Sequence, residues 1–363
     1  MAKLTLNNLS KSYGDIAAVR NLSLDIRDRE FFVLLGPTGA GKTTTLRCVA
    51  GLERPESGEV WIGENLVNEW SAANRDVALV FQQYSLYPNY TVRKNLEFPL
   101  RSKLRQIPAK EIGPRVQKAA ETLRISHLLD RRTDRLSGGE MQRVAIGRAI
   151  VREPRLFLMD EPLSNVDAKL RELLRAELRQ LQLTLATTLV FVTHDQVEAM
   201  TMGDRIGVLY EGELVQIGTP YEIYNFPRNT FVASFVGSPA INLFDAAIDR
   251  DKLIVVPEKF EIALQPAVRE RLHAVAGHRN AVRIGVRPEH VKLDASGDIA
   301  GRLYGAEDHG VEMILTITIG EHLVRATSSA TTRIPVNAPV QIAFAEDKLH
   351  FFDTETGANL AQI

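Results

Sequence analysis

A chain of 363 residues with 44 Lys plus Arg against 45 Asp plus Glu is nearly neutral, which argues against nucleic acid or an anionic lipid surface as a partner. Its length suits two domains or three, each with its own core. The single cysteine, Cys48, excludes an internal disulfide and fits a reducing compartment. No apolar run is long enough to span a bilayer and no signal-peptide core opens the chain, so it is expected to be soluble and held at any membrane by something else.

In chain order, Lys3 to Leu9 and Ala18 to Ile26 alternate as strands around a turn that holds Tyr13. An aromatic there suits stacking on a nucleotide base and equally the capping of a sheet edge. Next comes FFVLLGPTGAGKTTTLRCVAGL, an apolar strand from Phe31 that breaks at Gly36 and restarts as a helix at Lys42 and Thr43. Gly36, Gly41, Lys42 and Thr43 have the spacing G-x-x-x-x-G-K-T, which lets bare backbone wrap an anion at a helix N-terminus. Lys42 would reach the β- and γ-phosphates of a nucleotide, and Thr43 would offer its hydroxyl to Mg²⁺. Gly51 closes the helix, and Cys48 inside it reads as a small apolar residue.

Beyond a strand over Val77 to Phe81, Gln82 opens QQYSLYPNYTVRKNLEFPL, which leads into a helix from about Thr91. Its rings, Tyr84, Tyr87 and Tyr90 with Leu86, suit a docking surface for a partner helix better than a core. Ala109 to Leu123 reads as a charged, solvated helix. Ser137, Gly138 and Gly139 then open a helix with Met141, Val144, Ala145 and Ala149 on one face, a second anion site of weak specificity by itself. Leu156 to Met159 is a buried strand that delivers Asp160 and Glu161 to its carboxyl end, where adjacent acids suit Mg²⁺ and water handling. After the turn LSNVD, Asp167 starts a helix to about Leu185 with Leu170, Leu173, Leu174, Leu178 and Leu181 in a stripe. His194 and Asp195 follow a strand ending at Thr193; by spacing alone that histidine reads more as structural than catalytic. Past Asn242 short Val/Ile-rich strands alternate with turns such as Asp308 to Gly310 and Ile319 to Glu321, with hardly any helical period, which predicts a small antiparallel barrel or sandwich beginning near Pro239.

The motifs and their order resemble the nucleotide-binding subunit of an ATP-binding-cassette transporter over about the first 240 residues. Carrying the resemblance are GPTGAGKTT, Gln82, the signature LSGGE from Leu136 to Glu140, LFLMDEP, LSNVD and His194. FQQYSLYPNYTV, DEPLSNVDAKLR, THDQVEAMTMGDRIGVL and GTPYEIYNFPRNTFVASFVGSP are similar to the ATPases of bacterial carbohydrate importers of the maltose and glycerol-3-phosphate type. IGVRPEHV, Ile284 to Val291, is similar to a segment of their C-terminal regulatory domain. Glu140 departs from the glutamine usual in that group, and Val166 from leucine. Iron, polyamine or oxyanion importers are the nearest alternative. A soluble cassette acting on DNA or ribosomes is remote, because one cassette stands here without sustained heptads.

The resemblance implies an α/β P-loop NTPase cassette over residues 1–238, with a mixed, largely parallel sheet and a helical subdomain at about 88–152, followed by an all-β regulatory domain of the oligonucleotide-binding type over 239–363. It implies ATP with Mg²⁺, held by Tyr13 on adenine, by Gly36, Pro37, Thr38, Gly39, Ala40, Gly41, Lys42, Thr43 and Thr44 on phosphate, and by Thr43, Gln82 and Asp160 around the metal. Glu161 would orient or deprotonate the attacking water, His194 would hold the γ-phosphate and Glu161, and Gln82 would sense both. Ser137, Gly138, Gly139 and Glu140 would act on the nucleotide of a second copy in a head-to-tail homodimer bridged by Asp167. Two transmembrane permease subunits would dock near Gln82 to Pro88 at the cytoplasmic face of the bacterial inner membrane. An external solute-binding protein would act indirectly, and a regulatory protein at the tail is compatible.

Overall fold

The computed structural model describes residues 2–102, 107–164, 166–250, 252–255 and 260–362. Asn165, within the LSNVD turn, lies outside the described residues. The first part of the chain runs β1 (Leu4–Tyr13), β2 (Ile16–Ile26), β3 (Phe31–Leu35), α1 (Lys42–Ala50), β4 (Ser57–Ile62), β5 (Asn65–Leu66) and β6 (Val77–Val80). Helices follow: α2 (Val92–Glu97), α3 (Ala109–Thr122) and α4 (Gly138–Ile150). Then come β7 (Leu156–Asp160), α5 (Ala168–Leu185), β8 (Leu189–Thr193), α6 (Gln196–Met202), β9 (Arg205–Tyr210) and β10 (Glu213–Gly218).

A six-stranded sheet of order β10-β9-β3-β8-β7-β6 carries the site. It is parallel except for β10, which turns back antiparallel on β9. Every residue of β3 and β8 is buried, as expected of parallel strands covered on both faces. Because parallel neighbours end at the same edge, β3, β7 and β8 bring Gly36, Asp160, Glu161 and His194 together although the sequence separates them widely. A second, antiparallel sheet, β2-β1-β4-β5, packs its apolar face with α1 and the central sheet into one core that includes Leu4, Leu6, Val60, Phe32 and Leu46.

Three expectations for this part need correction. Tyr13 does not sit in the turn; it is the last residue of β1, paired with Ile16. The helix α3 is half-buried rather than solvated, because Ile112, Val116, Ala119 and Ala120 recur on one face and are covered. In the α5 stripe, Leu174, Leu178 and Leu181 are buried but Leu173 is 50% exposed. It belongs to the rim of the apolar face, where the helical period has already turned toward solvent. Cys48 is fully buried and its thiol is pushed up to about 11 by that burial, in keeping with a packing residue.

The second part runs α7 (Pro220–Asn225), α8 (Thr230–Phe235), β11 (Asn242–Asp249), β12 (Lys252–Val255), β13 (Phe260–Ala263), α9 (Pro266–Ala276), β14 (Ala281–Val286) and β15 (Val291–Leu293). It finishes with β16 (Ile299–Asp308), β17 (Glu312–Ile319), β18 (His322–Ser329), β19 (Pro339–Phe344) and β20 (His350–Phe352). Two antiparallel five-stranded sheets, β13-β12-β11-β14-β20 and β15-β19-β16-β17-β18, share one apolar core, the barrel-like tail of the oligonucleotide-binding type. Gly310 and Gly320 turn the two hairpins with positive φ of 82° and 58°. The tail does contain a helical period: α9 buries Val268, Leu272 and Ala276.

The compact units separate between Pro220 and Tyr221, earlier than the boundary expected near Pro239. Buried Arg287 explains the difference. Its Nη1 donates to the carbonyls of Ala233 and Val236 and its Nη2 to that of Tyr224 at 2.8 Å, while Asn359 donates to Pro227 O at 2.7 Å. These bonds tie the stretch of α7 and α8 from Tyr221 onward to the tail.

Candidate functional site

The cradle is shaped by what a side chain would hit. A Cβ on Gly36 would lie 2.3 Å from Leu209 O, and one on Gly41 would lie 2.2 Å from Ala18 O at a φ of 97°. Only glycine fits either position. Thr38 and Gly39 are exposed at the lip, while Ala40 is buried beneath it. The backbone then enters α1 with no side-chain cap at Gly41, leaving the first N-H groups for an anion.

Lys42 is only 4% exposed, and its Nζ donates to Gly36 O and Pro37 O, both at 2.9 Å. It also lies 3.6 Å from Glu161 Oε1. Burial lowers its pKa, an effect that Glu161 opposes. Thr43 Oγ1 donates to Asp160 Oδ1 at 2.9 Å, and burial raises the Asp160 carboxyl above its ordinary range. Glu161 takes a left-handed backbone, φ 43°, with its N-H donating to Val192 O at 3.0 Å. Such a conformation in a non-glycine residue is strained, and here it turns the carboxylate of Glu161 between Lys42 and His194, whose Nδ1 lies 3.1 Å from Oε2.

Beside this cluster Gln82 Nε2 donates to Ser164 Oγ at 3.3 Å, and Ser164 Oγ donates to Glu161 O at 2.9 Å. Ser164 escaped sequence reasoning; its place three residues after Glu161 in a tight turn was the available signal. Buried Arg75 escaped it as well. Its Nη1 donates to Cys48 O and Val49 O at 2.6 and 2.9 Å, capping the end of α1, and nothing local in the sequence marks that pairing.

The signature segment starts α4 with a reciprocal cap. Ser137 Oγ accepts from Glu140 N at 3.3 Å, and Glu140 Oε2 accepts from Ser137 N at 2.8 Å, which also lowers the Glu140 carboxyl. Glu140 is therefore folded back onto its own helix start. Gly139 packs so closely that a Cβ would lie 2.4 Å from Leu170 Cδ2, and Gly138 faces Tyr84. Asp167, exposed, caps α5 by accepting from Leu170 N at 3.0 Å. Tyr13 is 45% exposed with Lys11 over its ring, and Thr44 is half-buried in α1. Among the described residues no hydrogen bond or ion pair joins Ser137 to Glu140 with Lys42, Thr43 or Asp160.

A strand-to-helix phosphate cradle facing an acid pair on a parallel sheet edge, with a Ser-Gly-Gly helix inserted between β6 and β7, is the architecture of an ATP-binding cassette. The profile described as "ABC transporter" matches residues 19–164, "MalK OB fold domain" matches 237–291 and "TOBE domain" matches 284–352. The trehalose/maltose import ATP-binding protein of Thermococcus litoralis is 44% identical, over 98% of this chain and 99% of its own length. The sn-glycerol-3-phosphate import ATP-binding protein of Ruegeria pomeroyi is 43% identical over the whole of both chains. Among solved structures, the dimeric post-hydrolysis state of the cassette MJ0796 bound to ADP and Pi matches with a TM-score of 0.53 at 31% identity, over 60% of this chain and 98% of that one.

The chain belongs to the ATP-binding subunits of ABC importers. It binds nucleotide, and its activity is ATP hydrolysis that powers solute import.

Proposed function

We propose that this subunit drives uptake of a sugar or sugar derivative, working as a head-to-tail homodimer under two transmembrane permease subunits at the cytoplasmic face of the cell membrane. The convergence of Lys42, Thr43, Asp160, Glu161 and His194 at one sheet edge carries the catalytic half of this reading. The names of the relatives, trehalose/maltose, xylose/arabinose and sn-glycerol-3-phosphate import proteins, support the cargo class.

Among the described residues no cluster of three or more His, Cys, Asp or Glu could hold a metal alone. Thr43 Oγ1 and Asp160 Oδ1, 2.9 Å apart, are hard oxygen donors of the kind Mg²⁺ takes together with phosphate and water, so the residues fit that ion. Bound there, Mg²⁺ would neutralise charge on the β- and γ-phosphates. Lys42 would exchange its two carbonyl partners for phosphate oxygens. Glu161 accepts the proton of the attacking water, and His194 holds its carboxylate in place. Ser137 and Gly139, which among the described residues make no hydrogen bond to their own cradle, close on the ATP of the other copy, whose γ-phosphate then meets N-H groups from two sides. Asp167 bridges the copies, and Tyr13 stacks on adenine.

Permease helices dock beside Gln82 in the aromatic stretch, where Tyr87 and Tyr90 are each 38% exposed around Phe98. With the permeases and a solute-binding protein present, sugars should raise ATPase activity; stimulation confined to iron, polyamines or oxyanions would refute the cargo class. Lys42→Ala should weaken ATP binding by isolated monomers, whereas Ser137→Ala should spare it and block closure. Equal loss in both would refute the two-copy site.

A further inference from the structure

Arg171 lies one helical turn into α5, away from the cradle, and no step above uses it. Its Nη2 donates to Val166 O at 3.1 Å and its Nη1 to Asp195 Oδ2 at 3.4 Å. The first partner belongs to the turn that carries Ser164 and Asp167; the second is the neighbour of His194. Asp195 is itself fixed: Oδ1 accepts from Val197 N and Glu198 N, and its N-H donates to Thr193 Oγ1 at 2.9 Å. Within the turn, Val166 N donates to Leu163 O at 3.3 Å and Ser164 N donates to Glu161 O at 3.3 Å. Glu161 Oε2 meets His194 Nδ1 at 3.1 Å.

These contacts close a ring from Glu161 through the turn to Val166, across Arg171 to Asp195, and through His194 back to Glu161. Among the described residues, Arg171 is the one member of the ring whose side chain bonds both the turn and the histidine segment. A guanidinium suits that post because its planar fork reaches two acceptors at once, which an ammonium cannot do in fixed geometry.

We infer that Arg171 is a positioning residue for hydrolysis, locking the turn that bears Asp167 to the segment that bears His194. A change imposed on the turn by a second copy is then transmitted to the histidine beside Glu161. The contribution to stability is small by contrast, since the Arg171 and Asp195 side chains remain 29% and 25% exposed and partly screened. The inference rests on the catalytic reading of Glu161 and His194.

The test uses the full chain and compares Arg171→Met, which keeps the aliphatic stem, with Arg171→Lys, Asp195→Asn and the Met/Asn double variant. Asparagine keeps a side-chain oxygen for the α6 cap. Arg171→Met should lower kcat about tenfold while KM for ATP stays within about twofold and Tm within about 2 °C. Lysine, able to reach Asp195 or Val166 but not both, should restore part of kcat. The double variant should be no slower than the slower single one, as expected for residues acting through one contact. Normal kcat in Arg171→Met, a kcat loss that follows Tm, or additive single effects would each overturn the inference. Glu161→Gln in the same assay separates the two ideas: full turnover there refutes the catalytic reading, whereas a slow Glu161→Gln beside a normal Arg171→Met overturns Arg171 alone.

Discussion

Replacing Glu161 by glutamine keeps the side-chain shape and removes one charge from a crowded place. Lys42, almost fully buried, has that carboxylate 3.6 Å from its Nζ. At an effective dielectric near 20 the attraction amounts to about 5 kcal/mol before desolvation is subtracted, so nucleotide-free Glu161→Gln should melt earlier than wild type. Bound ATP reverses the sign. Its phosphates supply the negative charge that Lys42 lost, and the carboxylate that repelled them is gone, so ATP should bind several-fold more tightly and the closed dimer should persist. Hydrolysis should slow at least about a hundredfold, the low end for losing a general base and about 2.7 kcal/mol of barrier. Phosphate release at saturating ATP and Mg²⁺, with size-exclusion chromatography of the ATP-bound form, measures both effects. Turnover within about threefold of wild type, or ATP bound more weakly, would refute this role for Glu161.

Tyr87→Ser should reduce stability by about 2 kcal/mol, the value of its ring contacts with Phe98 and Tyr90 and of Arg148 over its face, yet weaken permease assembly about thirtyfold; early melting with normal recovery in a permease pull-down would return this stretch to the core. Arg75→Met strips Cys48 O and Val49 O of their buried donor and should remove about 3 kcal/mol, a fall in Tm of about 10 °C; a change under about 2 °C would show that water replaces it. His350 is lowered to about 4 by burial and by Arg287, His290 and Arg271, so between about pH 6.5 and 4 the unfolded chain binds more protons and stability is lost as pH falls. His350→Gln should flatten that decline by up to about 1.4 kcal/mol per pH unit, read from urea midpoints at pH 7 and 5; an unchanged slope would clear this residue.

The sequence by itself determined the parts whose chemistry is local. A glycine cradle needs bare backbone at fixed spacing, a serine followed by two glycines marks where a helix can open on an anion, and an apolar strand that ends in two acids can present them only at the edge of a sheet. That is why Gly36 to Thr44, Ser137 to Glu140 and Asp160 with Glu161 are legible in the sequence. Turn chemistry and alternation likewise announced the barrel-like tail. Only the tertiary structure decided what touches across long separations. The bond from Thr43 to Asp160 spans 117 residues, and Glu161 meets His194 only because β7 and β8 are parallel neighbours ending at one edge. The left-handed backbone of Glu161, the Arg75 cap on α1, and the grip of Arg287 on α7 and α8 that moved the division between units to Tyr221 carry no local signature. A long cationic side chain reads in sequence as a solvated charge, and its partners here are backbone carbonyls, which look the same at every position until the chain is folded.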